Sequence, residues 1–264
     1  MDIKILVATH KKYWMPADSI YYPILLGAAL REEDFGYQRD DEGDNISHKQ
    51  PNYSDISALY WGWKNLQCEY FGLCHYRRYL SCSTQVNNAR GRKDNILHRE
   101  DCEAILQKYD MILPTKLNFG KLSVKEQYEQ CHYLKDLRMA YDSVQRLYPG
   151  MEKIFDRIMS QHEMYACNLF VMKKDVADEY CKWLFPILFD VEKRDNIKDY
   201  DEYQSRVLGY LAERLFNVWL ATKNVKIYEA NIVLLGESYW DDKKFRYRVK
   251  NFFKDTIQKI YHKK

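Results

Sequence analysis

Short apolar runs of strand length, separated by longer stretches with apolar residues at helical spacing, predict an α/β sandwich with a mostly parallel central sheet. At 264 residues and 46% hydrophobic content, the chain is large enough to bury one substantial core, as one domain or a domain with an appendage. No internal repeat or low-complexity segment breaks the pattern.

Taken in order, "IKILVAT" (3–9) reads as a buried strand, and the segment after it, with Pro16 and Pro23 as breakers, as a loop. The polar, acidic stretch 31–53 is rich in turn formers and reads as a long loop, a length usually tied to function. Ser54 is placed to cap a helix "DISALYWGWKNLQ", in which Ile56, Leu59, Tyr60 and Trp63 fall at helical spacing. Tyr70 to Cys74 form the second strand, a short helix follows around "CEAILQKY", and "DMILP" (110–114) is the third strand. Ser123 and Glu126 make a capping-box pattern opening one long helix to about Tyr148, where Pro149 ends it. A fourth strand is expected over 164–172, helices over 174–193 and 199–223, and a last short strand over 225–230.

Several classes are excluded by what the chain lacks. The seven cysteines are scattered, odd in number and without a C-x-x-C pair, so neither a disulfide framework nor a zinc site is indicated. The first residues read as a strand rather than a signal peptide, and the longest nearly apolar run, "YYPILLGAAL", is about half the length needed to span a bilayer, which predicts a cytoplasmic protein. Residues 243–264 hold nine Lys or Arg against the single Asp255, in a chain whose net charge is only +3. Phe245, Val249, Phe252, Phe253, Ile257 and Ile260 give this segment one apolar face, so 241–264 is expected as a basic amphipathic helix appended to a 1–240 domain. Such a helix suits an anionic membrane surface, with packing on the body as the alternative. The rest of the chain has no basic stripe, so nucleic acid is not an expected partner.

No dinucleotide or P-loop fingerprint, no nucleophile elbow and no H-E-x-x-H occurs, and ten glycines leave little for a phosphate-cradling loop. A phosphorylated ligand would have to be held by side chains. The stretch "YFGLCHYRRYL" (70–80) supplies them: His75, Arg77 and Arg78 follow a buried strand, at the carboxyl edge where open α/β sheets bind ligands. Each guanidinium matches two phosphate oxygens, and His75 can add a bond, charged if an anion raises its pKa. The alternative is pairing with the acids of loop 31–45. Adjacent arginines on a strand would point to opposite sides, so one is expected to serve each purpose.

In this order, "HKKYWMP", "YYPILLGAA", "DNIS", "LYWGWKN", "GLCHYRRYL", "YDMILP", "QYEQCHYLKDL", "NLFVM", "YCKWLFPIL" and "ERLFNVWL" resemble a bacterial family of domains of unknown function found in capsular and exopolysaccharide gene clusters. The resemblance covers residues 3 to about 222, with "WKN" and "G-x-x-HYRRY" its most specific parts. The departure is "NYSDISALYW", where a Cys-Glu-Leu-Thr-like helix start is expected. The resemblance implies a GT-A-like (nucleotide-diphospho-sugar transferase) fold and transfer of a hexose, galactofuranose among the possibilities, from a UDP-sugar. In typical GT-A enzymes the strand after the "WKN"-like helix ends in Asp-x-Asp, which binds a divalent metal; here "HYRRY" stands instead. That implies a metal-independent enzyme without a cofactor, with manganese or magnesium as the alternative.

By the same resemblance His10 and Lys11, after the first strand, are expected near the nucleotide, with a solvated loop as the alternative, and Asn168 in "NLFVM" near the donor sugar, with a buried Asn bonded to backbone as its rival. Asp41, Asp44 and Asn45 in the long loop are expected either to meet sugar hydroxyls or to cap a turn. Tyr128, His132 and Asp136 fall four apart on one helix face, either an acceptor-binding surface or an ordinary His–Asp pair. An inverting transfer needs a carboxylate to take the acceptor proton. Glu213, beside Arg214, is the first choice, with a structural ion pair as its alternative, and Asp136 is the second. The expected activity is hexosyl transfer from a UDP-sugar to a lipid-linked oligosaccharide during capsular or exopolysaccharide assembly, at the inner membrane face. The competing class is a non-catalytic sugar-nucleotide or polysaccharide-binding partner of an assembly complex.

Overall fold

The computed structural model describes residues 1–83 and 93–236, so the expected basic helix over 241–264 lies outside the described residues. In chain order the elements are β1 (Ile3–Thr9), β2 (Tyr21–Leu25), β3 (Gln38–Arg39), α1 (Gln50–Tyr53), α2 (Ile56–Asn65), β4 (Tyr70–His75) and β5 (Arg78–Leu80). Then come α3 (Arg99–Leu106), β6 (Met111–Pro114), β7 (Leu117–Asn118), α4 (Val124–Cys131), α5 (Leu134–Leu147) and α6 (Glu152–Met159). The described chain closes with β8 (Glu163–Met164), β9 (Phe170–Lys173), α7 (Lys174–Arg194), α8 (Val207–Leu220), β10 (Ile227–Ala230) and β11 (Ile232–Leu234).

The main sheet runs β10-β6-β9-β4-β1-β2-β3, with β5 and β11 extending from β4. Pairs β1–β2, β1–β4, β2–β3 and β6–β10 are parallel, and β9 runs antiparallel between β4 and β6. Both faces of the sheet are covered, which is why its strands read as unbroken apolar runs. In β1, Leu6 and Ala8 join the core under α2, α5, α7 and α8, while Ile3, Ile5 and Val7 join a second core with α3 and the β5–β11 pair. Burial at this scale, at roughly 25 cal/mol per Å² of apolar surface, is what holds the layers together.

Four expectations are corrected. Pro23 does not end a loop: it lies within β2, paired in register with Val7. Its missing N–H is tolerated because β3, at the edge, pairs only with Ile24 and Leu25. The helix opened by the Ser123–Glu126 capping box is two helices, broken at His132 and Tyr133. The strand over 164–172 is split, with β8 paired to β7 and only Phe170–Lys173 in the main sheet. The helix over 199–223 begins at Val207, after a 3-10 turn at Gln204–Arg206. Strands β2, β3, β5, β7 and β11 and helices α1 and α6 are not expected from the sequence, and β3 and α1 fall in the stretch 31–53 read as one loop. Among the described residues no helix is long and apolar enough to cross a membrane.

Candidate functional site

β4 ends in a two-residue hairpin. His75 pairs with Arg78 across it, Tyr76 and Arg77 form its turn, and β11 pairs with β5 while the Leu235 N–H donates to the Arg77 carbonyl at 3.0 Å. Tyr76 turns inward, 1% exposed, so its ring becomes the support of the hairpin: His75 packs at 4.3 Å and the Arg77 guanidinium lies over it at 5.1 Å. Because Arg77 sits in the turn and Arg78 on the returning strand, the two do not diverge as adjacent strand residues would; both line one cleft of about 210 Å³. Neither guanidinium has an ion pair or hydrogen bond among the described residues. The acids of loop 31–45 are used locally: Asp41 pairs with Arg39 at 2.9 Å and Asp44 with Lys64 at 3.6 Å.

His75 is the exception among the three expected cations. Burial, then Arg78, Arg77, His10 and Arg206, holds its pKa well below the usual imidazole value, so the ring is neutral. Its Nδ1 accepts the Arg77 N–H at 3.3 Å, which leaves the proton on Nε2.

The facing wall is built from three segments. The first is the start of α2, where Ser54 adopts φ 54 and Asp55 occupies the N-cap without capping. The second is the turn between β8 and β9, where Cys167 (φ 73) and Asn168 (φ 48) are both left-handed, a strained arrangement for side-chain-bearing residues. The third is α8, with Gly209, Tyr210, Glu213 and Arg214 on the cleft. The turn aims two groups: the Cys167 N–H donates to Glu213 Oε1 at 3.1 Å, and Asn168 Nδ2 donates to Asp55 Oδ1 at 3.4 Å. Glu213 Oε2 accepts from Arg214 at 3.0 Å, while Arg214 also donates to Gln127 at 2.6 Å and to the Tyr210 carbonyl at 3.1 Å. Asp55 is half-buried, and burial followed by the nearby Glu213 raises its carboxyl to about 7, against the opposing pull of Arg78.

One end of the cleft is aromatic. His132 stacks on Tyr210 at 4.0 Å and on Tyr203 at 5.6 Å, with Arg206 beside them. Its Nδ1 donates to Gln204 Oε1 at 3.2 Å, and burial, then Arg214, lowers its pKa to about 3. His132 reaches the cleft because the chain breaks there. Of its expected companions, Tyr128 keeps ring contact with it at 4.9 Å from behind the cleft wall, while Asp136 turns away. Tyr128 is fully buried beneath the Arg214 guanidinium, and Asp136, 1% exposed, accepts the Tyr200 O–H at 2.7 Å; neither lines the cleft. Burial raises the Asp136 pKa, with Asp195 adding to the rise.

The remaining expected positions divide in the same way. His10 and Lys11 do not line the cleft but gather on the same Tyr76 ring, at 5.4 and 5.6 Å. Burial, then Lys11, Arg31, Arg77 and Arg206, lowers the His10 pKa. Asp44 and Asn45 lie elsewhere, in a turn against α2: Asp44 accepts the Tyr60 O–H at 3.0 Å, and Asn45 donates to the Asp41 and Gly43 carbonyls at 2.9 and 2.8 Å. The sequence reading missed Asp55, Tyr203, Arg206 and Tyr210. The sequence places Asp55 as the first residue of a helix capped by Ser54, whereas Asp55 itself holds the N-cap position; the departure at "NYSDISALYW" is the one signal that this helix start is unusual.

The cleft therefore sets unpaired guanidiniums against two carboxylates, with an aromatic stack at one end, at the carboxyl edge of β1 and β4. This can hold a polyanion on one wall and handle a proton on the other. Among solved structures the chain is similar to the apo structure of the bifunctional glycosyltransferase WbbM, with a TM-score of 0.83 and 29% identity over 90% of this chain. That match spans 46% of the other chain, so this sequence corresponds to less than half of it. The architecture is accordingly that of a GT-A-like fold. A search of curated proteins returns no significant match. The model of a family described as a domain of unknown function, DUF4422, matches residues 4–224, and the chain belongs to that family.

Proposed function

We infer that the chain is a glycosyltransferase that moves a hexose from a UDP-sugar to a lipid-linked oligosaccharide in the assembly of a surface polysaccharide. The observation that carries the reading is the pair of free guanidiniums, Arg77 and Arg78, lining the cleft at the carboxyl edge of the sheet. There they meet a diphosphate with two-pronged bonds and take up the charge that develops on the UDP leaving group. The neutral His75 donates from Nε2. Similarity to a bifunctional glycosyltransferase supports the reaction class. Galactofuranose is one donor sugar that the sequence resemblance implies, and the basic stretch 243–264 supports an acceptor presented at an anionic membrane surface.

A divalent metal of the usual GT-A kind fits these residues poorly. Of the two carboxylates on the cleft, Glu213 has one oxygen on a backbone N–H and the other on Arg214. No group of three His, Cys, Asp or Glu side chains gathers among the described residues. The fixed cations of the hairpin take the role of the metal in this reading. Release of UDP by the purified protein from a panel of UDP-hexoses, with and without chelator, tests it. Turnover that survives chelation is expected; binding of UDP without any turnover would favour a non-catalytic sugar-nucleotide-binding partner.

A further inference from the structure

We propose that Asp55, rather than Glu213, is the catalytic residue that takes the proton from the acceptor hydroxyl, with Asn168 positioning it. The proposal rests on the glycosyltransferase reading above and concerns the same cleft. Of the two carboxylates there, Glu213 is committed: Oε1 accepts the Cys167 N–H at 3.1 Å and Oε2 the Arg214 guanidinium at 3.0 Å. A carboxylate so held is a weak base, since a proton must displace an ion pair to reach it. Among the described residues Asp55 has one side-chain partner, the Asn168 amide at 3.4 Å on Oδ1, and no ion pair.

The backbone around Asp55 is arranged for this. Asp55 stands at the N-cap of α2, where aspartate ordinarily turns its side chain back onto the helix N–H groups, yet it makes no such bond and lines the cleft instead. Ser54 before it is held at φ 54, and the left-handed pair Cys167–Asn168 brings the Asn168 amide onto it. Close packing completes the wall: a Cβ on Gly209 would lie 3.1 Å from the Ser54 Cβ, and the Gly209 carbonyl accepts from Asn168 at 3.5 Å. Strain in two separate segments thus converges on one carboxylate.

In the reaction the acceptor oxygen bonds to the anomeric carbon while its proton passes to an Asp55 oxygen. The bond from the anomeric carbon to the β-phosphate oxygen breaks, and its electron pair leaves with UDP, opposite Arg77 and Arg78. Asp55 then returns the proton to solvent. With water as acceptor the same steps give hydrolysis. The charged and titratable groups acting on Asp55 are Glu213 from α8, Arg78 from β5, Cys167 from the turn and Tyr180 from α7. The acid carboxyl at about 7 matches a base working near neutrality.

The test measures UDP release from UDP-hexoses as a function of pH, with UDP affinity measured separately. Asp55→Asn is expected to lose about 10²- to 10⁴-fold in turnover. It should keep UDP affinity within about 3-fold, since a diphosphate on the hairpin does not need this base. Wild type should show a limb that falls below about pH 7, kept but moved to lower pH in Glu213→Gln, which removes a charge that raises Asp55, and lost in Asp55→Asn. Asn168→Ala should lower turnover and shift that limb, an effect a purely structural role would not produce. Asp55→Glu, which keeps the charge and retains the limb at reduced rate, covers the case in which Asp55→Asn does not fold. Asp55→Asn with near-normal turnover, or with the limb unchanged, overturns the proposal while leaving the transferase reading intact. Wild type without turnover on any UDP-hexose overturns both.

Discussion

Ionised Asp55 is a cost to the folded chain, so Asp55→Asn is expected to melt above wild type at about pH 8 and level with it at about pH 4. The sign follows from the carboxyl, whose value rises from the ordinary 3.8 to about 7 on folding. A group held up in the folded state contributes stability below its unfolded value and loses that contribution as pH rises through the folded one. The window is therefore about pH 4 to 7. At about 1.4 kcal/mol per pH unit, the full gap is worth at most about 4 kcal/mol. Asp55 is half-buried, and water at the cleft reduces this to about 1–2 kcal/mol. Asparagine keeps the volume and, through its Oδ1, the bond from Asn168. Asp136 is also raised by burial, but it titrates identically in both proteins and drops out of the difference. Thermal melts of the two proteins across this range would show a gap of a few °C opening between about pH 4 and 7. A variant no more stable than wild type at about pH 8, or a gap independent of pH, would show that ionised Asp55 carries no such cost.

The other carboxylate should behave in the opposite way. Glu213→Gln leaves the Arg214 guanidinium, 5% exposed, with only Gln127 and a carbonyl, and should cost about 2–3 kcal/mol, visible as a lowered melting temperature. Gly209→Ala places a Cβ 3.3 Å from the Tyr53 carbonyl and should cost about 1–3 kcal/mol. By displacing the Ser54–Asp55 wall it should also lower turnover about 10-fold or more, with UDP affinity retained; equal losses in both would contradict this. Removing residues 241–264 should weaken sedimentation with anionic liposomes while leaving UDP release largely unchanged, and loss of folding would instead favour packing of that segment on the body.

The sheet was legible because strands buried on both faces leave a continuous apolar run, as in Ile3–Thr9 and Tyr70–Cys74. The Ser123–Glu126 cap was legible because both of its bonds are local. What escaped reading depends on distant partners. Pro23 is acceptable in β2 only because the neighbouring edge strand is two residues long, and the break at His132–Tyr133 has no glycine or proline to mark it. At the cleft, the cations were visible as "HYRRY", but their shared direction comes from a hairpin closed by Arg78–Leu80 and Ile232–Leu234, a pairing of remote segments. Asp55 was hidden as an ordinary first residue of a helix capped by Ser54; only the Cys167–Asn168 turn, more than a hundred residues away, reveals what its side chain does instead.

In the proposed function, guanidiniums of the hairpin, rather than a metal, hold the donor diphosphate. Calorimetric titration of UDP into the protein in chelator, with Arg77→Ala, Arg78→Ala and the double variant alongside wild type, tests it most directly. Wild type is expected to bind UDP equally well with chelator or manganese. Each single substitution should weaken binding by about 10- to 100-fold, as expected for loss of a charge-assisted bond. Binding that vanishes in chelator and returns with manganese, or a double variant that binds as wild type does, would contradict it.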